Sequence, residues 1–320
     1  MAVGARFIAP ADHTAPSDHT APSDHTAPSD NLSPSDNSSP SDHTIPADHT
    51  APLDTTVPPD DPSPANGPVP SQGAVRSIDI LGVRVDDVTY DEAVRLVERW
   101  IAEGGPHPIT TPNPEIVMRA RREPVYRDLL ARAALNVPDG IGLILAARLR
   151  GEHFREHVRG TDLVHRLAAA SAVRGQRWYL LGAADGVAEK AGRALEAQYP
   201  GLVVAGAAPG SPRPEDDPVT WDAIRAAGRI DLILVAYGAG SQERWLDRSL
   251  GPLGIPVGIG VGGVLNFLSG EVPRAPTWMR RLELEWLHRL IVQPWRWKRQ
   301  LEIPRFMLLA LREAAQRGRT

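Results

Sequence analysis

Short apolar runs alternate with amphipathic helical segments from residue 77 onward, and this alternation constrains the fold more than any other feature. Apolar runs bounded by glycine, proline or polar residues are typical of buried strands. Apolar residues three or four positions apart, such as Val97 and Ile101 in the segment Tyr90–Glu103, are typical of helices that bury one face. Regular alternation of the two produces a mostly parallel sheet flanked by helices. We therefore predict an α/β fold with a Rossmann-like sheet.

Seven strands follow from these patterns, with helical segments between them. The predicted strands are Ile78–Val85, Pro108–Thr111, Ala134–Val137, Arg177–Leu181, Leu202–Ala205, Leu232–Tyr237 and Val257–Val261. The predicted helical segments include Tyr90–Glu103, Pro124–Ala133, Thr161–Arg174, Val187–Tyr199 and Gln242–Leu250. Residues 77–271 are enough to bury one sizeable core, so we predict a single α/β domain there.

Residues 1–76 carry a degenerate repeat whose unit is Ser-Asp-His-Thr-Ala-Pro. Ten Asp against two Arg, with no Lys or Glu, give this segment a net charge of −8. A proline in nearly every repeat and almost no large apolar side chains leave nothing to form a core, so the segment is predicted to be disordered. Five of the ten histidines lie here, but their irregular spacing favours a solvated spacer over a metal site.

Residues 272–320 have the opposite charge, with eleven Lys or Arg against four Glu and a net charge of +7. Trp278 and Trp286 occur among these arginines, and the pattern predicts a helical appendage of two helices broken near Pro294. Its tryptophans could pack on the core and leave the arginines in solvent. Alternatively, tryptophan lies at a lipid interface and arginine contacts phosphates or anionic head groups. The separation of charge along the chain favours the second interpretation.

Composition excludes several classes of protein. The chain has no cysteine, which excludes disulfides, thiolate metal sites and a cysteine nucleophile, and fits a reducing cytoplasm. No stretch reaches the roughly 20 apolar residues that span a bilayer, so we expect any membrane contact to be peripheral. The amino-terminal residues lack a signal-peptide pattern, and secretion is not expected. The chain is acidic overall and has no recognisable nucleic-acid-binding motif, so nucleic acid is not expected as a partner.

Polar or glycine-rich sequence follows four of the apolar runs. The four junctions are residues 110–115, 138–140, 238–243 and 258–263. Ligands of parallel α/β sheets bind at the carboxyl ends of strands, where loops lead into helix N-termini. Several such loops converging on one sheet edge would form a cleft whose backbone N–H groups and positive helix ends suit a diphosphate.

Asp139 is the candidate catalytic residue, because it stands between an apolar run and a helix predicted to begin at Gly140. It could cap that helix. Alternatively, it could act as a general base that takes a proton from an acceptor hydroxyl. Thr111 and Asn113 similarly could shape a proline-rich turn or donate hydrogen bonds to sugar hydroxyls or phosphate.

Two other classes of enzyme fit the glycine and acidic residues poorly. The Gly-X-Gly spacings do not extend to the G-x-G-x-x-G pattern of dinucleotide-binding folds, so a nicotinamide-dependent dehydrogenase is disfavoured. No Asp-X-Asp pair stands at the end of a predicted strand, so the sequence does not support a divalent metal on nucleotide phosphates. We therefore expect no cofactor.

Nine short motifs occur in a defined order. They are Thr-Pro-Asn-Pro-Glu (111–115), Pro-Asp-Gly (138–140), Gly-Thr-Asp-Leu (160–163), Tyr-Pro-Gly-Leu (199–202), Ser-Gln-Glu-Arg-Trp (241–245), Gly-Val-Gly-Gly (260–263), Arg-Ala-Pro-X-Trp (274–278), Leu-Glu-Trp-Leu-X-Arg (284–289) and Gln-Pro-Trp-Arg (293–296). In this order they resemble the WecG/TagA/CpsF family of bacterial glycosyltransferases. The resemblance extends over residues 78–305, which is nearly all of the sequence able to fold.

The resemblance implies an inverting, metal-independent transferase on the cytoplasmic face of the plasma membrane. Its donor would be a UDP-sugar, often one carrying N-acetylmannosamine, and its acceptor an undecaprenyl-diphosphate-linked sugar. The product would enter teichoic acid, common antigen or exopolysaccharide synthesis. The implied partners are therefore these two substrates and an anionic membrane surface. A second copy of the chain is a further candidate partner.

The same resemblance assigns roles to individual residues. Asp139 would be the base, Thr111 and Asn113 would lie beside it, and Gln242 would contact the donor. The family's C-terminal appendage closes over the active site, and its motif arginines correspond here to Arg274, Arg289 and Arg296.

The chain departs from the family pattern at two positions. His157 stands where the family usually has a phosphate-binding arginine, and we count it among the substrate-binding candidates, with Arg155 and Arg159 as nearby substitutes. Asn266 stands where the family has aspartate. These departures keep open the alternative of a catalytically silent nucleotide-sugar binding protein.

Overall fold

The computed structural model describes residues 75–294, 297 and 301–317. The predicted disordered repeat, apart from its last two residues, and the predicted site residue Arg296 lie outside these ranges. Within them, the predicted fold class is confirmed: a parallel sheet of six strands is flanked by helices, and a helix is present near the C-terminus. The boundaries at residues 76 and 271 stay a prediction.

The elements are as follows. The strands are β1 (Ser77–Ile80), β2 (Val83–Asp86), β3 (His107–Thr110), β4 (Leu135–Asn136), β5 (Arg177–Gly182), β6 (Val203–Ala208), β7 (Leu232–Ala236) and β8 (Val257–Gly260). The helices are α1 (Tyr90–Glu103), α2 (Pro114–Arg122), α3 (Pro124–Arg132), α4 (Ile141–Leu149), α5 (Gly160–Arg174), α6 (Val187–Gln198), α7 (Asp217–Ala226), α8 (Ser241–Leu253), α9 (Val264–Leu268), α10 (Thr277–Arg281), α11 (Glu285–Val292) and α12 (Glu302–Arg317).

The large sheet has the strand order β4-β3-β8-β7-β5-β6, with every neighbouring pair parallel. Strand β7 explains why the sheet strands read as continuous apolar runs. Leu232 and Leu234 face one core cluster, with helices α1, α5, α6 and α9, whereas Ile233 and Val235 face another, with α7 and α8. A strand covered by helices on both faces buries every side chain.

The predicted strand Ile78–Val85 is wrong, because it forms a hairpin of two antiparallel strands, β1 and β2. Leu81 and Gly82 make the turn with φ angles of 54° and 86°, and the Gly82 N–H donates to Asp79 Oδ1 over 2.9 Å. Two consecutive residues with positive φ suit the twist of a two-residue hairpin. The apolar Leu81 at the turn conceals the break in the sequence pattern.

The C-terminal segment differs from the predicted pair of helices. In its described part the first predicted helix is divided into α10 and α11, and the chain between them passes through Glu283 with a φ of 60°. Helix α12 then packs against α2 and α4, where Phe306 is fully buried with Val117 and Leu143. The last described helix therefore completes a core cluster of the α/β fold.

We predict that Phe306→Ala lowers the free energy of unfolding by about 3–5 kcal/mol, because it leaves a cavity in a closely packed cluster. The matched control is Leu308→Ala on the same helix, whose side chain is 50 % exposed and whose loss should cost less than about 1 kcal/mol. Urea unfolding followed by circular dichroism measures both. Equal losses for the two variants would show that α12 does not belong to the core.

Candidate active site

A cavity of about 360 Å³ opens at the carboxyl ends of β3, β4 and β8. Since these three strands are neighbours in the sheet, the loops that follow them meet at one edge. Five of the residues predicted from the sequence line this cavity: Thr111, Asn113, Asp139, His157 and Arg289. Parts of α4, α5, α11 and α12 complete its wall.

Asp139 lies just beyond β4 and connects this strand to the start of α5. Its backbone N–H donates to Pro112 O over 2.9 Å, and its carboxylate oxygen Oδ1 accepts the Gly160 N–H over 3.1 Å. The N-cap of α4 is Gly140, and no side chain caps that helix. Asp139 therefore does not cap the helix that follows it, and instead receives an N–H from the first turn of α5.

The pKa of Asp139 is raised above its ordinary value of 3.8. Burial raises it, while the Gly160 N–H, the His157 ring and the Arg289 guanidinium act in the opposite direction. A carboxylate with a raised pKa accepts a proton more readily. It is therefore suited to general-base chemistry near neutral pH.

His157 faces protein groups through both ring nitrogens. Its Nε2 accepts the Gly140 N–H over 3.1 Å, and its Nδ1 lies 3.2 Å from Glu283 Oε2. An Nε2 that accepts this hydrogen bond carries no proton, which leaves the neutral tautomer with its proton on Nδ1. In this state the ring supplies a hydrogen bond to an anion rather than the permanent charge of an arginine.

Arg159 supplies the permanent charge next to His157. It is the N-cap residue of α5, lines the cavity and donates from Nη2 to the Glu283 carboxylate. Its Nε also lies 3.6 Å from Glu285 Oε2. The sequence named Arg159 only as a substitute for the missing family arginine, because position relative to a helix start does not reveal where a long side chain points.

Thr111 and Asn113 both hold the loop after β3 in place. Thr111 Oγ1 donates to Gly260 O over 3.0 Å and so joins this loop to the end of β8. Asn113 is the N-cap of α2, and its Oδ1 accepts the Ile116 N–H over 3.0 Å. The two residues thus shape the turn as well as lining the cavity.

Gln242 does not line the cavity. It is buried, its Oε1 accepts the Gly262 N–H over 2.9 Å, and its Nε2 donates to Glu243 Oε1 over 2.9 Å. A Cβ added at Gly260 would lie 2.8 Å from the Gln242 amide nitrogen, so glycine is needed for this approach. Gln242 therefore stabilises the Gly-Val-Gly-Gly loop through a hydrogen bond and does not itself face the cavity.

Arg274 and Arg289 are the two motif arginines of the appendage that the structure describes. Arg274 ion-pairs with Asp162 and lies 3.5 Å from Glu285, outside the cavity lining. The Arg289 guanidinium lies over the Phe267 ring at 4.8 Å and against Gly263, where an added Cβ would be 2.2 Å from its Nη2. Arg289 thus brings positive charge to the cavity beside the end of β8.

Glu283 is an acidic residue of the cavity lining that no sequence pattern predicted. Burial acts to raise the pKa of its carboxyl, but the His157 ring and the Arg159 guanidinium outweigh burial and lower the pKa to about 2. The signal available in the sequence was weak. Glu283 is one of only four Glu among the eleven basic residues of the tail.

Two further observations concern metals and membranes. Among the described residues, no group of three or more His, Asp or Glu is arranged to hold a metal ion. In the same part of the chain, none of the helices has both the length and the apolar character required to cross a bilayer.

Comparison with known proteins supports the resemblance found in the sequence. The model of the family described as "Glycosyl transferase WecG/TagA/CpsF family" matches residues 78–320. A Bacillus subtilis (strain 168) protein named N-acetylglucosaminyldiphosphoundecaprenol N-acetyl-beta-D-mannosaminyltransferase is 35 % identical over 205 residues, which cover 64 % of this chain and 79 % of the relative. A Staphylococcus aureus (strain NCTC 8325 / PS 47) protein of the same name is 32 % identical over 233 residues, covering 72 % and 91 %. The chain therefore belongs to the WecG/TagA/CpsF family of glycosyltransferases.

Proposed function

We propose that the protein transfers a sugar, with inversion, from a UDP-sugar to an undecaprenyl-diphosphate-linked sugar in cell-wall or exopolysaccharide synthesis. The names of the relatives favour N-acetylmannosamine as the transferred sugar and N-acetylglucosaminyldiphosphoundecaprenol as the acceptor. One observation carries the proposal: the partly buried carboxylate of Asp139 lines a cavity at the sheet edge, with Arg159 and Arg289 in the same lining.

In the proposed reaction Asp139 takes the proton of the acceptor hydroxyl. The acceptor oxygen attacks the anomeric carbon of the donor, and the bond from that carbon to the diphosphate breaks on the opposite face. The bonding electron pair leaves with UDP, and Asp139 holds the proton. A single displacement of this kind inverts the anomeric centre.

The diphosphate gains negative charge as it leaves, and this charge requires stabilisation. Arg289 and Arg159 bring positive charge to the cavity, and the N-terminal end of α5 adds a partial positive charge. Arg159 would turn to the diphosphate once the Glu283 carboxylate is displaced. Bidentate guanidinium groups bind phosphate oxygens well. We propose that these groups serve in place of a catalytic metal.

We further propose that α10 and the turn after it contact an anionic membrane at the cytoplasmic face. Trp278 and Leu282 are 60 % and 62 % exposed there, and Arg280 and Arg281 lie on the same short helix. Exposed tryptophan beside arginine is typical of surfaces that bind lipid head groups. Such contact would bring the cavity to a lipid-linked acceptor.

A nucleotide-sugar binding protein without activity is the second candidate. It is favoured by His157, which lacks the permanent charge of the arginine usual in the family. It is also favoured by Asn266, which stands where the family has aspartate. Release of UDP in the presence of a lipid-diphosphate sugar acceptor separates the two candidates.

We predict that Asp139→Asn lowers kcat by about 10²–10⁴-fold, the usual contribution of a general base. Stability should not fall, because burial raises the pKa of Asp139 in the folded protein and the ionised form is therefore disfavoured there. Asp222→Asn, which removes an exposed carboxylate paired with Arg225 on α7, is the control. UDP release measures the first effect and thermal unfolding the second. Near-normal turnover in Asp139→Asn would show that the Asp139 side chain has only a structural role, in its contact with α5.

The pH dependence of kcat should show an acid limb with an apparent pKa above 3.8. The rate falls as the pH decreases through this value because the base must be ionised. Arg289→Gln should move the limb to higher pH, since Arg289 is one of the charges that lower the pKa of Asp139. A profile that is flat between about pH 4 and pH 8 would argue against a carboxylate base.

Trp278→Ala combined with Leu282→Ala should weaken binding to anionic vesicles by about tenfold while leaving thermal stability unchanged. Both side chains are largely exposed, so their loss creates no cavity in the fold. The control is Val173→Ala, an exposed apolar residue near the end of α5. Cosedimentation with phosphatidylglycerol vesicles is the measurement, and unchanged binding of the double variant would exclude this surface.

A further inference from the structure

Glu283 adopts a backbone conformation that an L-residue does not favour. It lies in the turn between α10 and α11 with a φ of 60°, a region in which glycine carries little penalty and other residues are strained. Strain of this kind persists only where surrounding contacts hold the residue in place. The side chain of Glu283 provides such contacts, because it reaches back into the cavity.

The Glu283 carboxylate is bound by two groups of the core. Arg159 donates to Glu283 Oε1 from Nη2, and His157 Nδ1 lies 3.2 Å from Oε2. Arg159 also donates to Arg280 O over 3.2 Å, which ties the same turn to α5. The carboxylate is thus an intramolecular ligand of a guanidinium and an imidazole.

These two groups are suited to a phosphate as well as to a carboxylate. Guanidinium binds either anion through paired N–H donors, and the neutral imidazole presents an Nδ1–H. The low pKa of Glu283, about 2, indicates how strongly this environment favours a negative charge. Arg159 and His157 line the same cavity as Asp139, whose carboxylate accepts the N–H of Gly160, the residue after Arg159.

We infer that Arg159 and His157 form a phosphate subsite which Glu283 occupies in the absence of substrate, so that a diphosphate must displace the Glu283 carboxylate to bind. This inference rests on the proposed function, since it takes the ligand to be a diphosphate. Glu283 then acts as a built-in competitor. The rest of the turn stays tied to the core through Arg274, which pairs with both Asp162 and Glu285.

Competition within the chain lowers the apparent affinity for the ligand by the fraction of molecules in which the subsite is free. Glu283→Gln keeps the size of the side chain and removes its charge. We expect it to tighten diphosphate binding by about tenfold, as for a subsite that is free in roughly one molecule in ten. Glu283→Gly should tighten binding at least as much, since it removes the competing side chain altogether, and glycine tolerates the positive φ of this position.

Isothermal titration of the full chain with UDP and, separately, with farnesyl diphosphate tests the inference and distinguishes the two sources of a diphosphate. If the Glu283 variants bind only UDP more tightly, the subsite belongs to the donor. If they bind only farnesyl diphosphate more tightly, it belongs to the acceptor. Tighter binding of both indicates a phosphate position that the two substrates share. The control is Glu271→Gln, which removes a carboxylate paired with Lys190 and should leave both affinities unchanged.

Arg159→Gln should weaken diphosphate binding, and adding Glu283→Gln to it should restore none of the loss, because the subsite is then missing. Unchanged affinities in Glu283→Gln and Glu283→Gly would overturn the inference even if the wild type binds UDP and transfers sugar. If the wild type binds neither diphosphate, the proposed function fails, and this inference fails with it. The turnover of Asp139→Asn tests the proposed reaction separately.

Discussion

Parallel pairing of β3 with both β4 and β8 is the constraint on which the site depends. These pairings bring three carboxyl ends to one edge of the sheet, although the strands are far apart in the chain. The contact between Asp139 and the Gly160 N–H then joins the end of β4 to the start of α5. Without this arrangement the Asp139 carboxylate and the cationic groups would not lie in the same cavity.

Several polar residues at this edge stabilise the loops, in addition to any part they have in the chemistry. Asn113 caps α2, Thr111 joins two loops, and Gln242 braces the glycine-rich turn after β8. Buried polar groups need such partners, because an unpaired donor or acceptor is costly in the interior. A short motif can therefore reflect the architecture of the site, the chemistry of the site, or both.

Ion pairs hold the turn between α10 and α11 to the core, together with the buried side chain of Met279 on α10. Arg159 pairs with Glu283, and Arg274 pairs with Asp162, whereas Trp278 remains largely exposed. Ion pairs that are partly exposed exchange partners at little cost, since water and ligand anions compete for the same donors. This segment is thus able to respond to an anionic substrate, in contrast to α12, which is anchored by the buried Phe306.

Local sequence patterns predict the α/β class, most of the strands and helices, and three of the loops that meet at the cavity, because apolar periodicity and the alternation of elements are local properties. The fourth predicted loop, residues 238–243, contributes nothing to the cavity lining. The position of Asp139 at a strand end follows from the same local patterns. Tertiary packing instead places Gln242 behind the cavity, holds the His157 ring between Gly140 and Glu283, and brings Glu283 beside Arg159. The direction of a long side chain and its partner from a distant segment depend on how the elements pack, and no local pattern records that packing.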